Sequence, residues 1–241
     1  MLSNVSPAWY TWLEQGRGGT PSADVLDRLA KGLRLTGAER EHLYLLAQNR
    51  PPELVPQEYE AVEPRLHHIL DSLEPSPAFI RSAAWDILAA NLASRVIWGH
   101  GETMPVRYNA LENFFTQSGQ RGADHESAWT SVARAVVAEF RTEAVQSGFG
   151  PRAQEVVDGL LASSPVFGEL WKELDVGLHL APIKTFALPG LPRLTFELAT
   201  LSVDDHPGLK LVIFTPGSSE DRRGIEQLIA KSSVRNGEGT T

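Results

Sequence analysis

Between Ser76 and Gly99 the spacing of apolar residues changes twice. Pro77 to Ser82 is a short apolar run behind a proline, Ala83 and Ala84 make a small-residue turn, and Trp85 to Ala90 is a second run. In that second run Trp85, Ile87 and Ala89 fall on one side and Leu88 and Ala90 on the other, with Asp86 the only charge. Two such runs about a turn predict a β-hairpin. Asn91 follows as a helix N-cap, because its side chain can accept from a free backbone N–H. Leu92, Val96 and Ile97 then recur at helical spacing, and Gly99 ends the helix.

Before this stretch the pattern is helical. Ser6 followed by Pro7 predicts a helix start, carrying Trp9, Tyr10, Trp12 and Leu13 before Gly16 stops it. Ser22 caps a second helix that buries Val25, Leu26, Leu29 and Ala30. Thr36 to Glu39 fits a capping box ahead of a third, with Leu43, Leu46 and Ala47 inward. Pro51, Pro52 and Pro56 break the periodicity, so residues 51–62 read as a linker between a module at 1–50 and a larger domain at 63–230.

After the hairpin the helical period returns. Leu111, Phe114 and Phe115 mark one helix, and Trp129, Val132, Val136, Val137, Phe140 and Ala144 mark a long amphipathic one. Two further helices follow, one through Val156 and Leu160 and one from Ser164-Pro165 to Leu174. Leu180 to Ala187, Leu194 to Leu201 and Leu209 to Thr215 are three strand candidates. The last is apolar on both faces, which places it centrally. A final helix through Ile225 and Leu228 precedes a tail at 231–241 whose Ser, Gly and Thr content predicts disorder. The expected class is α+β, an all-α module followed by a five-stranded antiparallel sheet with inserted helices.

Bulk composition narrows the function. The 241-residue chain has no cysteine, which excludes disulfides and thiolate metal sites. No apolar run approaches the ~20 residues that span a bilayer, and no signal peptide is visible, so a cytoplasmic protein is expected. A net charge of −8 excludes bulk electrostatic coating of nucleic acid and makes any DNA contact local. The seven histidines show no His-Glu-x-x-His spacing, and the chain has neither a nucleophile elbow nor a phosphate-binding glycine loop. Neither an enzyme nor a metal or other cofactor is expected.

Strand, turn, strand, Asn, short helix, Gly resembles the opening of PAS-type sensory domains. The whole run after Pro64 resembles the ligand-binding half of the MmyB-like transcription regulators. Likewise Ser6 to Arg17, with Tyr10-Thr11-Trp12-Leu13-Glu14-Gln15-Gly16, is similar to the recognition helix of phage-repressor (XRE) type helix-turn-helix domains. The resemblance implies a PAS-like sensor, a partial helix-turn-helix head, DNA as partner and a homodimer. Transferred position by position, it points Ser6, Ala8, Thr11 and Trp12 at the major groove or its phosphates and puts Arg17 in the backbone-contacting loop. A full head of this kind has two more helices, whereas five residues precede Ser6. An alternative is therefore an effector-binding or interaction protein that has lost autonomous DNA binding.

The resemblance also implies a cavity for a hydrophobic small molecule, fatty-acid-like in type. Burying about ten methylenes yields roughly 8 kcal/mol, against an association cost of about 4–15 kcal/mol. A polar anchor is therefore needed. For a carboxylate it would be an arginine, and Arg81, Arg95 and Arg141 each lie in an otherwise apolar element. Surface arginines covering apolar area with their stems fit the same pattern. Phe79, Trp85, Phe114, Phe115, Val137, Phe140 and Phe214 are the candidate wall, and each also fits ordinary core.

Overall fold

The computed structural model describes residues 19–50, 61–98, 108–118, 126–173, 183–186, 193–204 and 208–237, with Thr11, Gln15, Pro52, Tyr59 and His206 besides. The chain divides into two compact units, Met1–Leu54 and Val55–Thr241.

In the first unit α1 (Ala23–Leu33) and α2 (Gly37–Gln48) form a helical pair. Arg34 ends α1 in the left-handed conformation, its N–H turned back to the Ala30 and Lys31 carbonyls. The capping box at α2 forms as expected: the Thr36 hydroxyl accepts from the Glu39 N–H at 3.3 Å, and the Glu39 carboxylate accepts from the Thr36 N–H at 2.7 Å. The buried stripe of α2 is rotated from the expected one. Tyr44 is its buried residue, while Leu46 is 74% exposed. Polar chemistry sets this rotation, because the Tyr44 hydroxyl lies 2.8 Å from the Ala23 carbonyl and 2.7 Å from Asp27. Burial and the Asp27 carboxylate push the Tyr44 phenol up to about 12. Burial alone would raise Asp27, but hydrogen bonds from Tyr44 and Arg40 outweigh it and leave Asp27 below its ordinary range.

The second unit starts with α3 (Pro64–Ser72), followed by the hairpin β1 (Ala78–Arg81) and β2 (Ile87–Ala90) and by α4 (Leu92–Ile97). Four more helices follow: α5 (Ala110–Ser118), α6 (Glu126–Gln146), α7 (Pro151–Ser163) and α8 (Pro165–Lys172). β3 (Ile183–Phe186), β4 (Leu194–Ser202), β5 (Lys210–Pro216) and α9 (Ser219–Gly237) complete it. The strands form one five-stranded sheet in the order β2-β1-β5-β4-β3, antiparallel at each pairing. β5 takes the central place that its two-sided apolarity predicts. The last helix runs to Gly237, beyond Lys231 where disorder was expected to begin. No proline or glycine interrupts Lys231 to Asn236, so nothing in the sequence stops the propagating helix there.

Among the described residues three apolar clusters fill this unit. On one sheet face Leu66 and Leu70 of α3 cover Ala78, Ile80, Ala89 and Leu209. On the other, α4 and α9 contribute Ala93, Ile97 and Ile225 against Phe196, Val212 and Phe214. The third cluster is the core of the α5–α8 bundle, built around Leu111, Phe115, Val137, Phe140, Val157 and Phe167. At about 1.5–3 kcal/mol for each large side chain fully buried, each is a substantial source of stability. Asn91 ties several elements together, and its amide is 1% exposed. Its oxygen accepts from Ala78 and Ser94 N–H, both at 3.0 Å, and its nitrogen donates to the Ser76 and Leu70 carbonyls.

Candidate functional site

The turn that joins β1 to β2 connects the sheet to the helical bundle. Ser82 donates its N–H to the Asp86 carbonyl at 2.9 Å, and Trp85 donates its own to Ser82 at 3.0 Å. A three-residue connection of this geometry needs a left-handed residue in its last place, usually glycine. Here Trp85 occupies it, at φ 66°. For an L-residue with a side chain that conformation costs roughly 1–2 kcal/mol.

The Trp85 ring compensates for that cost. It is 6% exposed and sits in the bundle core, edge to face with Phe140 at 5.8 Å. Its indole N–H donates to Glu143 of α6 at 2.7 Å. The same carboxylate grips Arg81, one oxygen 3.1 Å from Nη2 and the other against Nη1, a bidentate pair. The Arg81 guanidinium also lies 4.4 Å from the Trp85 ring centroid, and a second carboxylate, Glu139, reaches Nη2 at 3.7 Å. The Arg81 side chain is 4% exposed.

A second polar cluster lies beside the first. Asp86 accepts two hydrogen bonds from Arg152 of α7, at 2.8 and 2.7 Å, and one from Asn109 at 2.9 Å. The Asp86 hydrogen bonds raise the Arg152 pKa. The Asn109 side chain also caps α5, accepting from the Leu111 and Glu112 N–H groups. Ala84 and Trp85 of the turn belong to the bundle core, while Phe79 of the same hairpin lies against the sheet cluster.

The candidate wall residues therefore fall into two groups. Phe79 and Phe214 line the sheet face with Trp98, which lies 5.8 Å from Phe79 and 4.9 Å from Phe214, ring centre to ring centre. Trp85, Phe114, Phe115, Val137 and Phe140 belong to the bundle. The candidate anchors also separate. Arg81 is held by Glu143. Arg141 lies 4.6 Å from the Trp171 ring centroid and donates to the Trp171 carbonyl at 2.6 Å, closing the end of α8. Arg95 is half-buried on α4. Glu143 and Trp98 were not among the residues the sequence singled out. The signal for Glu143 was a carboxylate one turn from Phe140 and Glu139, beside the apolar stripe of α6.

Of the candidate DNA contacts, Thr11 is exposed and helical, its carbonyl accepting from the Gln15 N–H at 3.1 Å. Ser6, Ala8, Trp12 and Arg17 lie outside the described residues. Among the described residues no helix is long and apolar enough to cross a membrane, and no three His, Asp or Glu side chains are grouped as a metal would need.

Comparison with known proteins agrees with this two-part layout. The family model described as the MmyB-like transcription regulator ligand binding domain matches residues 62–228, and one described as a helix-turn-helix domain matches residues 1–43. A search of curated proteins found no match. A helix-turn-helix domain followed by a ligand-binding domain is the layout of a ligand-responsive transcription regulator, and with most of its length matched the chain belongs to the MmyB-like family of such regulators.

Proposed function

We infer that the second unit takes up a hydrophobic, fatty-acid-like molecule between the aromatic face of its sheet and the α5–α8 bundle, and that occupancy controls DNA binding by a homodimer. The observation that carries this reading is the division of apolar side chains along one side of the hairpin. Phe79 belongs to the sheet cluster and Trp85 to the bundle core, and Arg81, between them on the hairpin, is joined to Glu143 of the bundle by an ion pair. A seam between two cores can admit an apolar chain without breaking either, which a single interlocked core cannot. The strand order β2-β1-β5-β4-β3, with helices inserted after β2, supports the PAS-like description of this sensor. A cytoplasmic location suits such a regulator.

In the head, Ser6, Ala8, Thr11, Trp12 and Arg17 are the proposed DNA contacts, and the exposure of Thr11 is compatible with that role. The ligand acts by binding two sensor conformations unequally, since equal binding would shift nothing. Native mass spectrometry of freshly purified protein tests the first half of the reading. A co-purified lipid-sized mass that is lost on mild activation supports it. Bare protein that also fails to bind added fatty acid by calorimetry rejects it. Solution molar mass tests the dimer, and a strict monomer at high concentration counts against it.

A further inference from the structure

On its way from the first unit into the second the chain passes Tyr59, Val62 and Glu63, just ahead of α3. Val62 is buried, and Tyr59 packs against the apolar cluster on the α3 side of the sheet. Burial raises the Tyr59 phenol pKa. Facing these residues is the turn between β4 and β5. His206 of that turn donates its N–H to the Val203 carbonyl at 3.0 Å and accepts from the Leu209 N–H at 2.9 Å. Gly208 supplies the left-handed residue, at φ 90°, and Leu209 is buried in the α3-side cluster. The imidazole held in this way lies edge to face with the Tyr59 ring, centroids 5.8 Å apart.

The polar half of this contact is incomplete. His206 Nε2 is shut off from solvent and, among the described residues, has no hydrogen-bond partner. Oε1 of Glu63 nevertheless stands 3.2 Å from it. With its single proton on Nδ1, a neutral ring turns a lone pair toward that carboxylate, which is repulsive. A second proton on Nε2 makes the same contact an ion pair. The other charged groups nearby leave room for this. Arg65 of α3 lies 2.7 Å from the second Glu63 oxygen, and Asp204, two residues before His206, is exposed. We propose that Tyr59, Val62 and Glu63 form a strap across the sheet and that His206 is its pH-dependent fastening: the strap is held while the imidazole carries two protons and loosens when it loses one. Tyr59 and Val62 supply the apolar seat, and the His206–Glu63 contact decides how firmly it is occupied. His206 is thus a positioning residue, acting on the covalent path between the two units. Its charge sets how much of that path is free, in the pH range where a histidine changes charge.

Hydrogen–deuterium exchange of the full chain, read residue by residue by NMR at pH 5.5 and pH 7.5, tests the fastening. Each rate is divided by that of the unfolded chain at the same pH, so the intrinsic effect of pH on exchange cancels. In wild type, protection at Tyr59, Val62 and Glu63 is expected to be about threefold higher at pH 5.5, the scale of one partly exposed ion pair. Protection along β5 is expected to be the same at both. His206→Gln and Glu63→Gln each remove one member of the pair from a half-buried site, and either is expected to abolish the pH ratio at the strap. Tyr59→Ala removes the apolar seat instead, so it is expected to lower protection at Val62 and Glu63 at both pH values while keeping the ratio. Equal protection of the wild-type strap at the two pH values overturns the proposal, as does a ratio that survives in His206→Gln or Glu63→Gln. A parallel change along β5 overturns it too, because the effect would then belong to the whole domain.

Discussion

The two faces of the sheet are filled by different chemistry. Toward α3 the fully buried contacts are aliphatic, Leu66, Leu70, Ala78, Ile80, Ala89 and Leu209, with half-buried Tyr59 packed against them and the Asn91 amide bonded to Ala78. Toward α4 and α9 aliphatic and aromatic side chains mix, Ala93, Ile97, Val212 and Ile225 with Phe79, Trp98, Phe196 and Phe214, and the Arg81 guanidinium is buried two residues along β1 from Phe79. Aliphatic side chains interdigitate and leave little freedom, so the α3 face has the character of a fixed wall. Ligand pockets are lined by hydrophobic and aromatic side chains with a few polar groups, which is the composition of the second face. Where one sheet presents both surfaces, function is expected on the second.

The sharpest way to break that distinction is to damage the fixed wall. Asn91→Ala removes four hydrogen bonds to buried or half-buried backbone. Leaving several such groups unsatisfied costs about 4 kcal/mol, the largest loss expected here, read as a lower urea midpoint at constant slope. Leu70→Ala, at a side chain 1% exposed, should cost about 3 kcal/mol and leave the affinity for added fatty acid unchanged. Phe79→Ala, on the opposite face and only half-buried, should cost less, about 2 kcal/mol, but weaken the binding of added fatty acid clearly. If Leu70→Ala weakens binding as much as Phe79→Ala does, the faces are not functionally distinct.

What the residues reveal in advance follows the same division. Local signals were legible. The hairpin, the Asn91 cap, the Thr36 capping box and the central place of β5 each depend on neighbours a few residues apart. Nonlocal chemistry was not. The Arg81–Glu143 pair joins residues 62 positions apart, and no periodicity reports which carboxylate a buried arginine will meet. The left-handed Trp85 was equally hidden, since tryptophan is no signal for positive φ. Ala83 and Ala84 read as the whole turn, although the third loop position carries the conformational demand. In α2 Leu43 and Ala47 of the expected stripe are half-buried, but Leu46 is exposed and Tyr44, hydrogen-bonded to Ala23 and Asp27, takes the buried place. At α2 a polar contact between helices overrode the apolar pattern, whereas at the hairpin tip the pattern held and only the partner and the backbone conformation were hidden.

Two smaller effects refine the comparison at the hairpin tip. Trp85→Phe keeps an aromatic ring in the bundle but removes the donor to Glu143, so about 1.5 kcal/mol of stability should be lost, the low end for a hydrogen bond to a charged group. An unchanged urea midpoint would show that the indole N–H contributes nothing to holding the hairpin tip on α6.

The smallest effect concerns Glu112, near the Asp86–Arg152 pair. Burial raises its pKa, and the charges of Asp86 and Glu155 add to the rise against the opposing pull of Arg152. A carboxyl with a raised folded-state pKa contributes its stability below the unfolded value near pH 4.3 and loses it as pH climbs through the folded value. Glu112→Gln, which keeps the neutral form at every pH, should therefore be the more stable protein at pH 7. The margin is no more than a few tenths of a kcal/mol, because the group is largely solvent-screened. At pH 3.5 the two proteins should denature together. A gain at pH 3.5 as large as that at pH 7 would mean that the substitution acts through packing, and that charge at the hairpin tip has no part in it.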